Sequence, residues 1–336
     1  MNAAVIVLIY HLKNLYKPLK QTEQMRTKKR RFYHGSPQHI YQRTIGGVNI
    51  FYDVEDYLVF FTIFSTSSKK FNVKILEQCI MIDHIHSLIE SEDKKTMSDF
   101  VCHYTSTFVR EYNHRVGRRG RLIEKAFGNA PKKQDKKIRS AILYILNNPV
   151  EKEICKSAKD YRWNFLAFAR STHPFSVKIN KDKASKPLRR AMKEVREYNE
   201  DGRFLRYSQL QRMFKYLHTA EKEMLIDFII STYSTIDYQE LLKYYDNYEA
   251  LTIAADSSSG SEYDVKETFY PHSDCAYREM MEYLKKEKGM TVTRRVTTLP
   301  MDEKISLARE LQLHCRASNL QVRKFLHLTT EENFKK

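Results

Sequence analysis

Residues 72–90, NVKILEQCIMIDHIHSLIE, constrain the fold most tightly. Asn72 to Ile82 alternates apolar and polar residues as a strand does, Asp83 breaks the run, and HIHSLIE resumes it. Successive strand side chains point to opposite faces of a sheet, so this pattern asks for two adjacent antiparallel strands joined tightly at Asp83. His84 and His86 then project side by side from one face, while Ile85 points into the layer beneath. The chain holds 12 His, so one close pair can arise by chance, and its neighbours must decide its meaning.

The flanking segments extend the sheet. HIYQRTI (His39 to Ile45) reads as a strand that runs into a turn at Gly46-Gly47. DVEDYLVFFTIFSTSSKKF opens acidic and closes on Lys69 and Lys70, the charge order a helix dipole favours, with Val54, Leu58, Phe61 and Phe64 or Ser65 at helical spacing. Strand is the rival reading, because VFFTIF has high β propensity. TMSDFVCHYTSTFVREYNHRV places Val101, Tyr104, Phe108 and Tyr112 on one helical stripe. Arg118 to Phe127 reads as a basic turn plus a strand, and KKQDKKIRSAILYILNNPV as a helix that stops near Pro149. The order is strand, helix, strand, strand, helix, strand, helix. This predicts an α+β fold with a ferredoxin-like antiparallel sheet and an appended helix.

At 336 residues the chain suits two domains, and an apolar fraction of 42% is enough to build cores. The expected division is an apolar and basic N-terminal extension over 1–30, a sheet-containing domain over 31–177, a polar linker over 178–190 and an all-α region over 191–336. DSSSGSE (Asp256 to Glu262) reads as a loop in that last region. AAVIVLIY near the start has the wrong charge order for a secretory signal. Met25 as the true start, or a short helix packed on the body, are both open there. No stretch has the roughly 18 apolar residues of a membrane span. A net charge of +17 favours a polyanionic partner, either nucleic acid or an anionic membrane surface. Five scattered cysteines without C-x-x-C spacing argue for a reducing compartment, hence the cytoplasm.

Tyr144 and Asn148 stand four residues apart on the last helix of the sheet domain, so they share a face. A lone phenol on an apolar helix is usually a packed core residue. Beside two same-face imidazoles it gains another meaning. Two histidine nitrogens and one amide oxygen make an incomplete ligand set for a divalent cation, leaving positions for phosphate oxygens and water. A phenol one turn from such a site is placed to attack phosphorus and store the bond energy as a phosphodiester.

Here the residues resemble a family. MIDHIHSLIE is similar to the His-hydrophobic-His (HUH) motif of single-tyrosine transposases. LYILNNPVEKEI followed by DYRWNFLAFARS is similar to the tyrosine-helix segment of the same family, and the REP-associated tyrosine transposases are the branch most resembled. The similarity in order and spacing runs from about His39 to Ser171. It implies that His84, His86 and Asn148 bind Mg2+ or Mn2+, and that Tyr144 attacks single-stranded DNA at hairpin-bearing sites. The products implied are a 5′-phosphotyrosine link and a free 3′-OH, with rejoining by reverse attack, in a monomer or homodimer. Two positions depart from the family pattern: Asp83 stands where Asn is frequent and Ser87 where an apolar residue is commoner. Neither is expected to touch a proposed ligand.

Basic residues flank this site in the sequence. Arg115, Arg118, Arg119 and Arg121 precede the last strand, and Lys132, Lys133, Lys136 and Lys137 line the start of the Tyr144 helix. Singly each reads as solvated surface; together they suit a phosphate backbone. Near the C-terminus, residues 300–328 suggest two short helices, with Ser318 and Gln321 forming a capping box. A helix-turn-helix contacting duplex DNA, with Asn319, Gln321, Arg323 and Lys324 as exposed readers, stands level with an ordinary helical hairpin. Two other functions compete with the transposase reading. One is a non-catalytic, sequence-specific DNA-binding protein. The other is a zinc-structured protein using His84, His86 and Cys79 or Cys102.

Overall fold

The chain is described by a computed structural model that covers residues 31–180, 184–257 and 273–328. The N-terminal extension and most of the DSSSGSE stretch lie outside these residues.

The sheet domain follows the expected order: β1 (Gln38–Arg43), α1 (Val54–Lys70), β2 (Lys74–Ile80), β3 (His84–Glu90), α2 (Lys94–Val116), β4 (Gly128–Pro131) and α3 (Asp135–Glu151). The strands lie in the order β2-β3-β1-β4 with every pair antiparallel, which is the ferredoxin-like arrangement. Tyr41 faces His86 across the β1–β3 ladder, and Arg43 faces His84.

VFFTIF is helical. The Asp56 carboxylate accepts the backbone N–H groups of Tyr52 and Asp53, which otherwise lack intrahelical partners. Leu58 through Phe64 are all buried, because the sheet, α2 and further helices enclose α1 on every side. A helix that is apolar all round is a buried helix, and this is why its sequence also scores as a strand. α2 starts at Asp93, whose side chain accepts the Thr96 N–H at 2.7 Å, and stops at Gly117, left-handed at φ 69°.

Two boundaries differ from expectation. The last strand is 128–131, beyond the 118–127 stretch. Leu122 to Glu124 instead runs beside the end of β1, with Ile45 N–H donating to Leu122 O and Glu124 N–H to Arg43 O. α3 continues through Pro149 to Glu151. A proline in the last turn removes one ladder bond, and the turn still closes through Lys152 N–H to Asn148 O.

α1 and α2 cover one sheet face and α3 the other. The DYRWNF block packs against α1, with Trp163 stacked on Tyr57 at 4.4 Å and Phe165 on Phe61 at 4.6 Å. Beyond it the structure is helical: α4 (Lys186–Glu200), α5 (Tyr207–Phe214), α6 (Thr219–Tyr233), α7 (Tyr238–Leu242), α8 (Tyr248–Asp256), α9 (Cys275–Glu287), α10 (Met301–His314) and α11 (Asn319–Leu326). α4 begins inside the stretch expected to be linker. Ser185 caps it and Pro187 sits in its first turn, where a missing N–H costs nothing. α7 and α8 pack on α3, and Asp237 N–H donates to Ile75 O, covering the β2 edge. α9 to α11 form their own apolar cluster with Tyr52 and Ile82. No described helix is long and apolar enough to cross a membrane.

Candidate active site

The face of the sheet under α3 carries an unusual set of side chains. Strand alternation puts His39 and Tyr41 of β1 and His84, His86 and Leu88 of β3 on this face. The rings of His84 and His86 lie 5.1 Å apart between centroids. Tyr144 reaches down from α3, its ring 5.4 Å from that of His86 and 5.8 Å from that of His39. One turn on, the Asn148 amide donates from Nδ2 to Tyr144 O at 2.9 Å and turns Oδ1 toward His84 Nε2, 3.3 Å away. The amide is thus oriented by its own helix, with its oxygen facing an imidazole nitrogen.

His84 is anchored from behind. Its Nδ1 lies 2.6 Å from Asp83 Oδ1, and a carboxylate oxygen can only accept, so Nδ1 carries the proton. Burial alone pushes the Asp83 carboxyl up. The charge on His84, the bond to it, Lys324 and Arg43 outweigh that and hold it well below the usual range. Asp83 therefore does touch a proposed ligand, contrary to the expectation from sequence, and this departure from the family pattern is part of the site. Ser87 faces the opposite layer, as alternation requires.

The site is shut. Tyr144 is 8% exposed and His86 fully buried, so the phenol does not look out onto solvent, although attack on a DNA strand needs it to be reached.

His39 and Asp274 were not singled out from the sequence. His39 Nε2 lies 3.0 Å from His86 Nδ1. Only its even spacing from Tyr41 in a strand hinted at its face. Asp274 precedes α9, and its N–H donates to Lys152 O at 2.9 Å. Burial and the neighbouring Asp83 push its carboxyl up to about 7, against His84, Lys152 and Lys324. No sequence signal pointed to it.

The basic residues divide. Arg115 is exposed in the last turn of α2 and Arg119 and Arg121 beyond it, and Arg118 is half-buried, donating to Asn113 Oδ1 and Arg121 O. Backbone bonds at Leu122 and Glu124 hold this loop at the β1 end that pairs with His84. Lys133, Lys136 and Lys137 are exposed, with Lys133 over the Tyr33 ring at 3.4 Å. Lys132 is 1% exposed and so does not belong to that open surface; its backbone N–H donates to Pro37 O at the β4 edge.

The exposed readers expected on α11 are not exposed. Gln321, Arg323 and Lys324 are buried and Asn319 is half-buried. Gln321 donates to Ser273 O, Arg323 to Leu328 O, and Lys324 Nζ lies 3.8 Å from Asp83 Oδ2. The Ser318–Gln321 capping box is present, but the helix it starts turns these side chains into the body of the protein.

Among the described residues no three His, Cys, Asp or Glu side chains converge as a metal site. Cys102 is exposed on α2, which covers the opposite sheet face, and Cys79 Sγ contacts Met81 Sδ at 3.7 Å. Among the described residues the zinc reading therefore has no three-residue ligand set. Two imidazoles and the Asn148 amide make a mixed nitrogen and oxygen set that could hold a divalent cation.

Residues 38–129 match the family model described as "Transposase IS200 like". The resemblance to single-tyrosine transposases drawn from the motifs therefore holds for the sheet-forming part of the chain, about a quarter of its length. The matched segment contains both imidazoles and stops before Tyr144. The chain is also similar to a solved structure described as "Structure of the REP associates tyrosine transposase bound to a REP hairpin". The identity is 15%, the alignment covers 47% of this chain and 94% of that one, and the TM-score is 0.37. Among curated proteins no sequence matches.

Proposed function

We propose that this protein cleaves and rejoins single-stranded DNA at hairpin-bearing sites, as a transposase using Tyr144 as nucleophile. The observation that carries the reading is the convergence of Tyr144, His86, His84 and Asn148 on one sheet face, with Asn148 Oδ1 3.3 Å from His84 Nε2. A cation such as Mg2+ or Mn2+ would be held by His84, His86 and Asn148, with His84 Nε2 unprotonated when it ligates. A bound cation there supplies polarisation of the phosphodiester.

The chain's own residues do the rest. Tyr144 Oη forms a bond to phosphorus, the bond from phosphorus to the 3′ oxygen breaks, the phenol gives up its proton, and the departing oxygen gains one. The product is a 5′-phosphotyrosine and a free 3′-OH, and attack by a second 3′-OH reverses the step. Asp83 holds His84 through Nδ1 and leaves Nε2 turned to the site. Because Tyr144 is buried, a strand reaches it only after a rearrangement that opens the site.

Lys137 precedes Tyr144 by two helical turns on the same stripe, about 10 Å away along the axis. Lysines at a helix start oppose its dipole, so Lys133, Lys136 and Lys137 are better explained by a phosphate backbone than by helix stability. Arg115, Arg119 and Arg121, with the half-buried Arg118, offer a second set of phosphate contacts at the other end of β1, where Arg43 pairs with His84. The catalytic unit in this reading spans 31–177. The five cysteines are free thiols, which fits residence in the cytoplasm.

The test is incubation of the full chain with end-labelled single-stranded hairpin DNA and Mn2+. A covalent adduct that survives denaturation is expected, and His84→Ala should reduce it severely. Binding without any adduct would support the rival, a DNA-binding protein without catalysis.

A further inference from the structure

His39 lies in β1, outside every motif that pointed to the site, yet it contacts both halves of it. Its Nε2 is 3.0 Å from His86 Nδ1, and its ring is 5.8 Å from that of Tyr144. The His39 and His86 rings are both fully buried. Two imidazole nitrogens at this distance share one proton, and which ring owns it has consequences. If His39 donates, neutral His86 carries its own proton on Nε2 and cannot ligate through that nitrogen. If His86 donates from Nδ1, its Nε2 carries a lone pair and His39 accepts.

His84 shows which arrangement the site uses. Its Nδ1 faces a carboxylate and must donate, so its Nε2 is the nitrogen turned toward Asn148. A metal-binding histidine is commonly fixed in this way, by a partner on its other nitrogen. We infer that His39 is the positioning residue for His86: it accepts the His86 Nδ1 proton and so holds His86 in the tautomer whose Nε2 can ligate. The two imidazoles thus have different anchors, an anionic one in Asp83 and a neutral one in His39. His39 also abuts Tyr144, so the same ring sets the orientation of a ligand and the packing of the nucleophile. This inference rests on the proposed metal role of His86.

Two measurements test it on the full chain. The first uses nitrogen-15 NMR of the unmodified protein without metal, where the proton of His86 is expected on Nδ1 and that of His39 away from Nε2. A proton on His86 Nε2 overturns the assignment, whatever any variant does. The second is Mn2+ affinity by electron paramagnetic resonance titration. His39→Phe keeps the ring volume and removes the acceptor, and should weaken Mn2+ binding by about 10–100-fold. His39→Gln, whose amide oxygen can accept, should recover most of that loss. Wild-type affinity in His39→Phe overturns the proposal. If His84→Ala and His86→Ala also leave Mn2+ affinity unchanged, the metal reading itself has failed, and the NMR assignment still decides the hydrogen bond.

Discussion

The two faces of this one sheet are both buried but differ in chemistry. Under α1 and α2, Ile40, Ile85 and Ile89 meet Phe60, Phe64, Phe100, Tyr104 and Phe108 in an aromatic and aliphatic core. Under α3, the same two strands present His39, Tyr41, His84 and His86 to Tyr144 and Asn148. An antiparallel sheet commonly leaves its polar face to water. Here the polar face is covered, so each group on it needs a partner of particular geometry, as His84 has in Asp83 and His86 in His39. The apolar face needs only volume and shape. The difference teaches that burial alone does not separate core from site; what separates them is whether a neighbour can be exchanged for another of equal size.

Four variants can break or sharpen this comparison. The largest effect is expected from Tyr144→Phe, which keeps the ring and removes the nucleophilic oxygen. The covalent DNA adduct should fall below detection while the protein still folds, and an adduct that persists would overturn the role of Tyr144. Phe108→Ala tests the opposite face. Opening a cavity there should cost about 3–5 kcal/mol in denaturant unfolding, without altering Mn2+ affinity of the protein that remains folded.

Gly128→Ala is next. An added Cβ would lie 1.8 Å from the Tyr41 ring, whose centroid is 6.5 Å from that of His86. The ring must move, at a cost of about 1–3 kcal/mol, and because it packs beside the imidazoles the Mn2+ affinity should change too. Unchanged affinity would separate Tyr41 from the site.

The smallest effect concerns a buried cation away from the histidines. Burial pushes the Lys304 amine down to about 8, although Nζ donates to Thr297 O at 2.8 Å. The unfolded chain therefore binds an extra proton between about pH 8 and 10.5, so stability rises with pH across that window, and below it the full penalty applies. Lys304→Met should raise stability at pH 7 by about 1–3 kcal/mol, less the lost hydrogen bond, and flatten that pH dependence. Urea titrations of both proteins at pH 7 and pH 10 would check it; a wild-type stability that does not rise over this window refutes the sign.

Period and composition carried the sheet domain far. The alternation in 72–90 placed His84 and His86 on one face, and the spacing of Val101, Tyr104, Phe108 and Tyr112 marked the buried stripe of α2. Where local patterns were ambiguous, neighbours decided. VFFTIF became helix because three layers enclose it, and Pro149 was tolerated because it falls in a closing turn. The α11 side chains were misread for a related reason. Gln, Arg and Lys score as surface, but Ser273, Leu328 and Asp83 offer them oxygens in the interior.

By itself the sequence determined the order of elements, the pairing of His84 with His86 and of Tyr144 with Asn148, and a positive charge suited to a polyanion. These follow from periods of 2 and 3.6 residues and from counting charges, which need no knowledge of distant contacts. Only the tertiary structure decided that α3 lays Tyr144 and Asn148 over the imidazoles, that His39 and Asp83 hold them from behind, and that the site is closed. Apart from Asp83 and His84, which are neighbours in sequence, those contacts join residues far apart in the chain, and no local pattern encodes the distance between them.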